Sequence, residues 1–204
     1  MTIHFYDGDL PPGLDFGDAV AIDTETMGLN HARDRLCLVQ LSAGDGNAHL
    51  VRWPQGGAEA PNLKALLADR GVCKLFHFAR FDLAVLYQAT GVMPGPVYCT
   101  KVASRLVRTY TDRHGLKDLC RELLAVDISK QQQSSDWGNE RLSDAQKAYA
   151  ASDVLYLHRL REALDTMLAR EGRTELARAC HDFLPMRAIL DLEGWPETDI
   201  FSHS

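Results

Sequence analysis

Cysteine is scarce and unpaired in this chain of 204 residues. The five that occur, at positions 37, 73, 99, 120 and 180, are odd in number and widely spaced, and no C-x-x-C is present. That excludes a disulfide framework and a structural zinc site, and predicts reduced, mostly buried thiols in a cytoplasmic protein. None of the eight histidines has zinc-ligand spacing either. Long hydrophobic runs are missing. No segment approaches the roughly 18 apolar residues of a membrane span, and the opening MTIHFYDGDLPPG holds no signal-like stretch, so no membrane partner is expected. Excess positive charge is lacking too: 22 Lys and Arg stand against 28 Asp and Glu, a net charge of −6. A chain that coats long nucleic acid through bulk charge would carry the opposite sign. There is no G-x-x-x-x-G-K-[ST], and Gly44 and Gly46 lack the third glycine and following helix of a dinucleotide-cofactor loop. What is present is ordinary: 46% apolar and 25% charged residues, with no repeat and no long linker. This predicts one globular domain over 1–204, with C-terminal helices and a tail from about residue 172 that are candidates for a subunit interface.

Residues 19–23 (AVAID), 36–42 (LCLVQLS) and 48–53 (AHLVRW) read as strands joined by short links, an antiparallel meander. After a Gly/Ala/Pro loop at 55–61, Asn62 reads as the N-cap of a helix over 63–69. The pattern then changes to a strand at 72–78, a helix at 80–90 stopped by Gly91, a short strand at 97–99, and helices at 100–109 and 115–124. Residues 129–135 (SKQQQSS) read as a polar loop. The longest helical pattern spans 143–170, with Ser143 as N-cap, and one or two more helices and a short tail follow. The order predicts an α/β protein with a mixed sheet flanked by helices.

Asp23-Thr24-Glu25 closes the first strand of the meander. Residues i and i+2 of a strand point to one face, so both carboxylates aim at a common point beyond the strand end. Asp82, in HFARFDL, follows a later strand and falls in the first turn of a helix. Tyr149 and Asp153, in YAASD, are i and i+4 and share a helix face. Each motif alone is common: a solvated strand end, a helix-dipole contribution, an ordinary helix pair. In this order and on this scaffold they resemble the DEDD exonuclease superfamily, in the DEDDy branch that carries Tyr, and the RNase D-type exonucleases within it. The resemblance implies a ribonuclease H-like fold and 3′→5′ hydrolysis that releases nucleoside 5′-monophosphates. It assigns Asp23, Glu25, Asp82 and Asp153 as metal ligands, and Tyr149 as the group that orients the attacking water and helps deprotonate it. The chemistry agrees. Four carboxylates packed together repel one another and cannot all stay ionised unaided. An all-oxygen set suits hard cations, Mg²⁺ or Mn²⁺. Two such ions about 4 Å apart would stabilise the attacking and leaving oxygens of an in-line phosphoryl displacement. An ordinary Tyr has a pKa of about 10, so metal-lowered water acidity must do most of the work.

Further segments, DRLCLVQLS, CTKVASRL, RTYTDRHGLK, ISKQQQSSDW, YAASDVLYLHRL and the tail ending DIFSHS, resemble the NanoRNase C group. These are bacterial RNase D-like enzymes that degrade RNA dinucleotides, and the likeness runs over nearly the whole chain. Longer RNase D-like proteins usually carry an Asp just before Thr100; here Cys99 stands there, which we read as a subfamily difference. The resemblance implies a ring-shaped homo-octamer, a closed pocket for two nucleotides, and the last step of RNA and cyclic-dinucleotide turnover. Trp195, Ile200 and Phe201 in the tail agree with docking on a neighbouring subunit, or equally with packing back on their own domain.

Positive charge gathers at residues 100–130, where seven Lys and Arg face four Asp and Glu, a local +3. Lys101, Arg105 and Arg108 are spaced i, i+4 and i+7 on one helix face. That face reads either as a solvated or salt-bridged surface, or as a site that captures a terminal 5′-phosphate together with Arg113, His114 or Lys130. Arg would do so by bidentate bonds, Lys as a point charge. Met27 and Leu29, with His31, follow the D-x-E motif and by family likeness lie beside the scissile nucleotide. His77 reads as a satisfied core histidine near Asp82, with a substrate contact as its other role. Trp137 reads as packing beneath the Tyr149 helix. Two functions compete with dinucleotide cleavage: trimming of longer RNA, and a non-catalytic RNA-binding or assembly role.

Overall fold

The computed structural model describes residues 2–129, 131–132 and 134–203. Six strands follow one another as β1 (Thr2–Asp7), β2 (Ala19–Thr26), β3 (Leu36–Ser42), β4 (Asn47–Arg52), β5 (Cys73–Phe76) and β6 (Val97–Cys99). They form one mixed sheet in the order β1-β4-β3-β2-β5-β6. β2, β3 and β4 make the expected antiparallel meander, and β5 and β6 add in parallel on the other side of β2. β1 is absent from the sequence reading. It pairs in parallel with β4, Thr2 opposite Asn47 through Asp7 opposite Arg52. As an edge strand with mostly exposed side chains it has no hydrophobic alternation to betray it.

The helices are α1 (Pro61–Ala68), α2 (Ala79–Thr90), α3 (Thr100–Val107), α4 (Leu116–Leu124), α5 (Asp144–Val154), α6 (Leu157–Arg170) and α7 (Thr174–Leu192). Two expectations need correction. Asn62 is not the cap of α1, which starts at Pro61 after Ala60 in the left-handed region. The capping acceptor comes from a distance instead: the Asp9 carboxylate takes the backbone N–H groups of Asn62 at 3.0 Å and Leu63 at 2.8 Å. The long pattern over 143–170 is two helices, broken at Leu155 and Tyr156. α5 buries Ala150, Ala151 and Val154, whereas α6 buries Leu157, Leu160, Leu164 and Leu168, so the apolar stripe changes direction and the backbone turns with it. Ser143 does cap α5, in a reciprocal capping box with Gln146. α7, not the 143–170 segment, is the longest helix, at 19 residues.

Strand alternation sorts the core into two sides. Val20 and Ile22 of β2 pack with Leu83 and Leu86 of α2 and Leu184 and Ala188 of α7. Ala19 and Ala21 face the other way, towards Leu157 and Leu160 of α6 and Val154 of α5. The small alanines on this second side let α5 and α6 approach β2 closely, and the next residue on that face is Asp23.

Candidate metal centre and active site

Asp23 and Glu25 continue the Ala19–Ala21 face of β2 to the strand end, where the pairing with β3 shifts register between Glu25 and Thr26. Such an irregularity ends the ladder and re-aims the chain as it leaves the sheet. α5, packed on that face, presents Asp153. One carboxylate oxygen each from Asp23, Glu25 and Asp153 lie within 4.8 Å of one another. Tyr149, one turn earlier on α5, hydrogen-bonds to Asp153. Beneath it Trp137 is buried, its ring 6.0 Å from that of Tyr149, which is the packing role expected of it.

Asp82 stands apart from this trio. It lies buried in the first turn of α2, and the Thr24 hydroxyl donates to its Oδ1 at 2.7 Å. Thr24 is the middle residue of D-x-E and points to the opposite face of β2, so the motif positions three of the four acids: Asp23 and Glu25 directly and Asp82 through Thr24. Its charge still reaches the cluster, raising Glu25.

The electrostatics state the problem a cation would solve. Burial lifts Asp23 to about 7. Burial, then repulsion from Asp23, Asp153 and Asp82, lifts Glu25 to about 10. Asp82 is raised by burial and by Asp23. Without a counter-charge burial and mutual repulsion disfavour the ionised forms of these acids; a hard divalent cation with oxygen ligands would offset that cost. The donor set therefore fits Mg²⁺ or Mn²⁺ on its own chemistry.

Asp23, Glu25 and Asp153 line a cleft of about 370 Å³ with Thr26, Leu29, His77, Phe78, Phe81, Lys101, Lys117 and Tyr149 among its walls. Phe78, between β5 and α2, is held in the left-handed region at φ 74°, uncommon for a bulky residue and a mark of local strain. Its half-exposed ring carries the Lys101 ammonium 4.4 Å from the centroid.

A profile of the 3′-5′ exonuclease family matches residues 13–169. The chain belongs to that family. Ribonuclease D of Jannaschia is 35% identical over 158 residues, 76% of this chain and 41% of that protein. The chain thus spans less than half the length of the curated ribonuclease D relatives it matches. Several solved structures match from end to end, covering 100% of both chains. Brucella melitensis NrnC with bound Mg²⁺ is 62% identical with a TM-score of 0.95. Brucella melitensis NrnC bound to pGG is 63% identical with a TM-score of 0.96. These findings agree with the resemblance to RNase D-type exonucleases and to the NanoRNase C group.

The basic face of the chain divides. Lys101 reaches the cleft, as does His77, whose Nδ1 is 2.9 Å from the Thr100 hydroxyl; His77 is therefore a wall residue, not a core one. Leu29 also lines the cleft and is 83% exposed. Met27 is absent from the lining and packs against Gly138, where an added Cβ would meet its sulfur at 2.3 Å. Arg105 and Arg113 are exposed and outside the lining. His114 is likewise outside the lining, its Nδ1 2.9 Å from the Ser104 hydroxyl.

Arg108 is a correction. Its side chain is wholly buried and donates to the Ser104 hydroxyl at 3.0 Å, to the Arg113 carbonyl at 2.7 Å and to Glu122. It closes the corner between α3 and α4, with no donor aimed at a phosphate. The helix ends at Val107, so the i+7 position no longer follows the helical face. Lys130 lies outside the described residues. The sequence reading missed Thr24, Phe78 and Lys117. For Thr24, strand alternation within D-x-E was the available signal; Lys117 was visible only as one of the seven basic residues.

Proposed function

We propose that this protein is a metal-dependent 3′→5′ exoribonuclease that cleaves diribonucleotides to nucleoside 5′-monophosphates, in the last step of RNA and cyclic-dinucleotide turnover. The observation that carries the reading is the convergence of Asp23, Glu25 and Asp153 in a cleft walled by Tyr149. End-to-end likeness to a protein solved with Mg²⁺ and with pGG supports the cation class and the short substrate.

Two divalent cations, Mg²⁺ or Mn²⁺, held by Asp23, Glu25, Asp82 and Asp153, would supply Lewis acidity to an in-line displacement at phosphorus. The rest falls to the protein. Asp23 and Glu25 give up their protons as the site loads. Thr24 fixes the rotamer of Asp82 through its hydroxyl. Tyr149 keeps its proton, since burial and the neighbouring carboxylates raise it well above the ordinary tyrosine value. It therefore orients the attacking water as a hydrogen-bonding group rather than acting as a strong base. Lys101 and Lys117 offer positive charge to the substrate phosphates, and exposed Arg105 and Arg113 extend that charge towards a terminal 5′-phosphate. Leu29 offers an apolar contact to a base. The same reading takes the protein as a single-domain, cytoplasmic homo-octamer.

The deciding experiment offers 5′-labelled RNAs, from two nucleotides upward, to the purified protein with Mn²⁺. The dinucleotide should be consumed fastest. Equal rates at every length would move the reading to trimming of longer RNA, and no mononucleotide with either cation would move it to a non-catalytic RNA-binding subunit.

A further inference from the structure

Gln40 occupies the middle of β3, the most enclosed strand of the sheet. Its cross-strand partner on β2 is Asp23, and its partner on β4 is Leu50. Directly opposed residues of antiparallel strands share a face, with Cβ atoms about 5 Å apart. Gln40 therefore projects beside Asp23 on the side covered by α5, the helix that carries Tyr149 and Asp153. Its other surroundings there are mainly apolar: Leu38 and Leu50 in the sheet, Ala150 on α5 and the Trp137 ring belong to one buried cluster. The residue is wholly buried, yet neither its Oε1 nor its Nε2 has a hydrogen-bond partner among the described residues.

A primary amide sealed in an apolar layer is costly to the fold. Methionine would fill nearly the same space at no such cost. The amide requires a use, and the one charged group beside it in register is Asp23. A carboxylate that ligates a cation through one oxygen needs a donor on the other to hold its orientation. Asp23 otherwise accepts a backbone N–H at Thr24.

We infer that Gln40 is a positioning residue for the metal centre: on cation binding its Nε2 donates to the Asp23 oxygen that faces away from the cation. This rests on the proposed reading of Asp23 as a ligand, and it goes beyond that reading by adding a residue no acidic motif contains. The amide is then unpartnered in the cation-free state and satisfied in the loaded one, so its cost is relieved only on loading. Cation binding thereby gains from the Gln40 amide as well as from the carboxylates.

The test is Gln40→Met, with Gln40→Leu as a second apolar variant, measured first without cation. A merely structural glutamine and a positioning one differ in what is lost. We expect the metal-free melting temperature of Gln40→Met to equal or exceed that of wild type, because an orphaned amide is gone. We expect Mn²⁺ affinity by titration calorimetry to fall roughly 10- to 100-fold, the usual cost of removing a ligand's hydrogen-bond partner. Turnover should drop at low Mn²⁺ and recover as Mn²⁺ is raised. Unchanged Mn²⁺ affinity in folded Gln40→Met overturns the inference, as does failure of both variants to fold. If wild type itself takes up no Mn²⁺, the metal reading of the site falls, and this inference with it.

Discussion

At the scale of single residues, the acids that repel one another are those the proposed chemistry needs together. Asp153→Ala should abolish turnover and leave a folded protein, checked by product release and circular dichroism side by side. Tyr149→Phe should keep cation binding and lose roughly 10²–10⁴-fold in rate, the range for a lost water-orienting or proton-transfer group. The same cluster sets a pH signature. Asp23 holds its proton to about pH 7 when folded, against 3.8 as its ordinary value. A carboxyl that binds its proton more tightly in the folded state stabilises the fold at low pH and loses that contribution as pH rises between the two values. The metal-free melting temperature should therefore fall from pH 5 to pH 8, and saturating Mn²⁺ should reverse the slope, because cation affinity rises as the protons leave. A melting temperature that climbs with pH in chelator would contradict the buried, repelling geometry. Arg108 and Lys101 separate stability from binding. Arg108→Ala removes a buried guanidinium and should cost about 3 kcal/mol of stability. Lys101→Ala, at the cleft wall, should weaken substrate binding while leaving the melting temperature nearly unchanged.

At the scale of elements, what was legible in the sequence is what periodicity and capping write plainly. The meander of β2, β3 and β4 follows from short apolar runs and a Gly-containing turn, and α2 and its Gly91 stop follow from pattern and breaker. The placement of Asp23 and Glu25 on one face follows from the two-residue period alone. What stayed hidden depends on partners far along the chain. β1 is held by β4 rather than by its own hydrophobic pattern, and α1 is capped by Asp9 from 53 and 54 residues away in sequence. Arg108 looked like a member of a basic face until the end of α3 at Val107 took it into the corner with Glu122. Lys74 is a comparable case on β5: a wholly buried lysine whose ammonium donates to the carbonyls of Val72 at 2.7 Å and Gly95 at 2.9 Å, and to that of Asp69. It binds the turn before β5 to the loop before β6 through backbone carbonyls, which no residue pattern in the sequence marks. Lys74→Met should leave three buried carbonyls short of a donor and destabilise the protein by about 2–4 kcal/mol, measured by urea denaturation, with little effect on cation affinity.

At the scale of the whole molecule, the question is where the apolar surface goes. Leu176, Phe183 and Met186 of α7 are exposed, and so are Trp195, Ile200 and Phe201 of the tail. The tail packs back in part: the Phe201 ring meets that of Phe183 edge-on at 5.9 Å, yet Phe201 remains 75% exposed. Asp191 anchors the start of this region. Its buried carboxylate is gripped by Arg80 from α2 and by Arg187 from α7, and both guanidinium groups also donate to tail carbonyls. The tail is thus fixed in position with its apolar side chains still uncovered, which is the geometry of a surface that meets another protein surface. Proposed assembly into a homo-octamer gives it an occupant, a second copy of this chain. Native mass spectrometry should then record eight chains. The double variant Met186→Asp and Phe201→Asp should shift the mass to smaller species, since an unpaired carboxylate buried at an interface costs several kcal/mol. Arg80 lies two residues before Asp82, so the ion pair that holds the tail also braces the helix turn that presents Asp82. Arg80→Ala should therefore lower Mn²⁺ affinity by titration calorimetry, and unchanged affinity in the folded variant would count against this coupling.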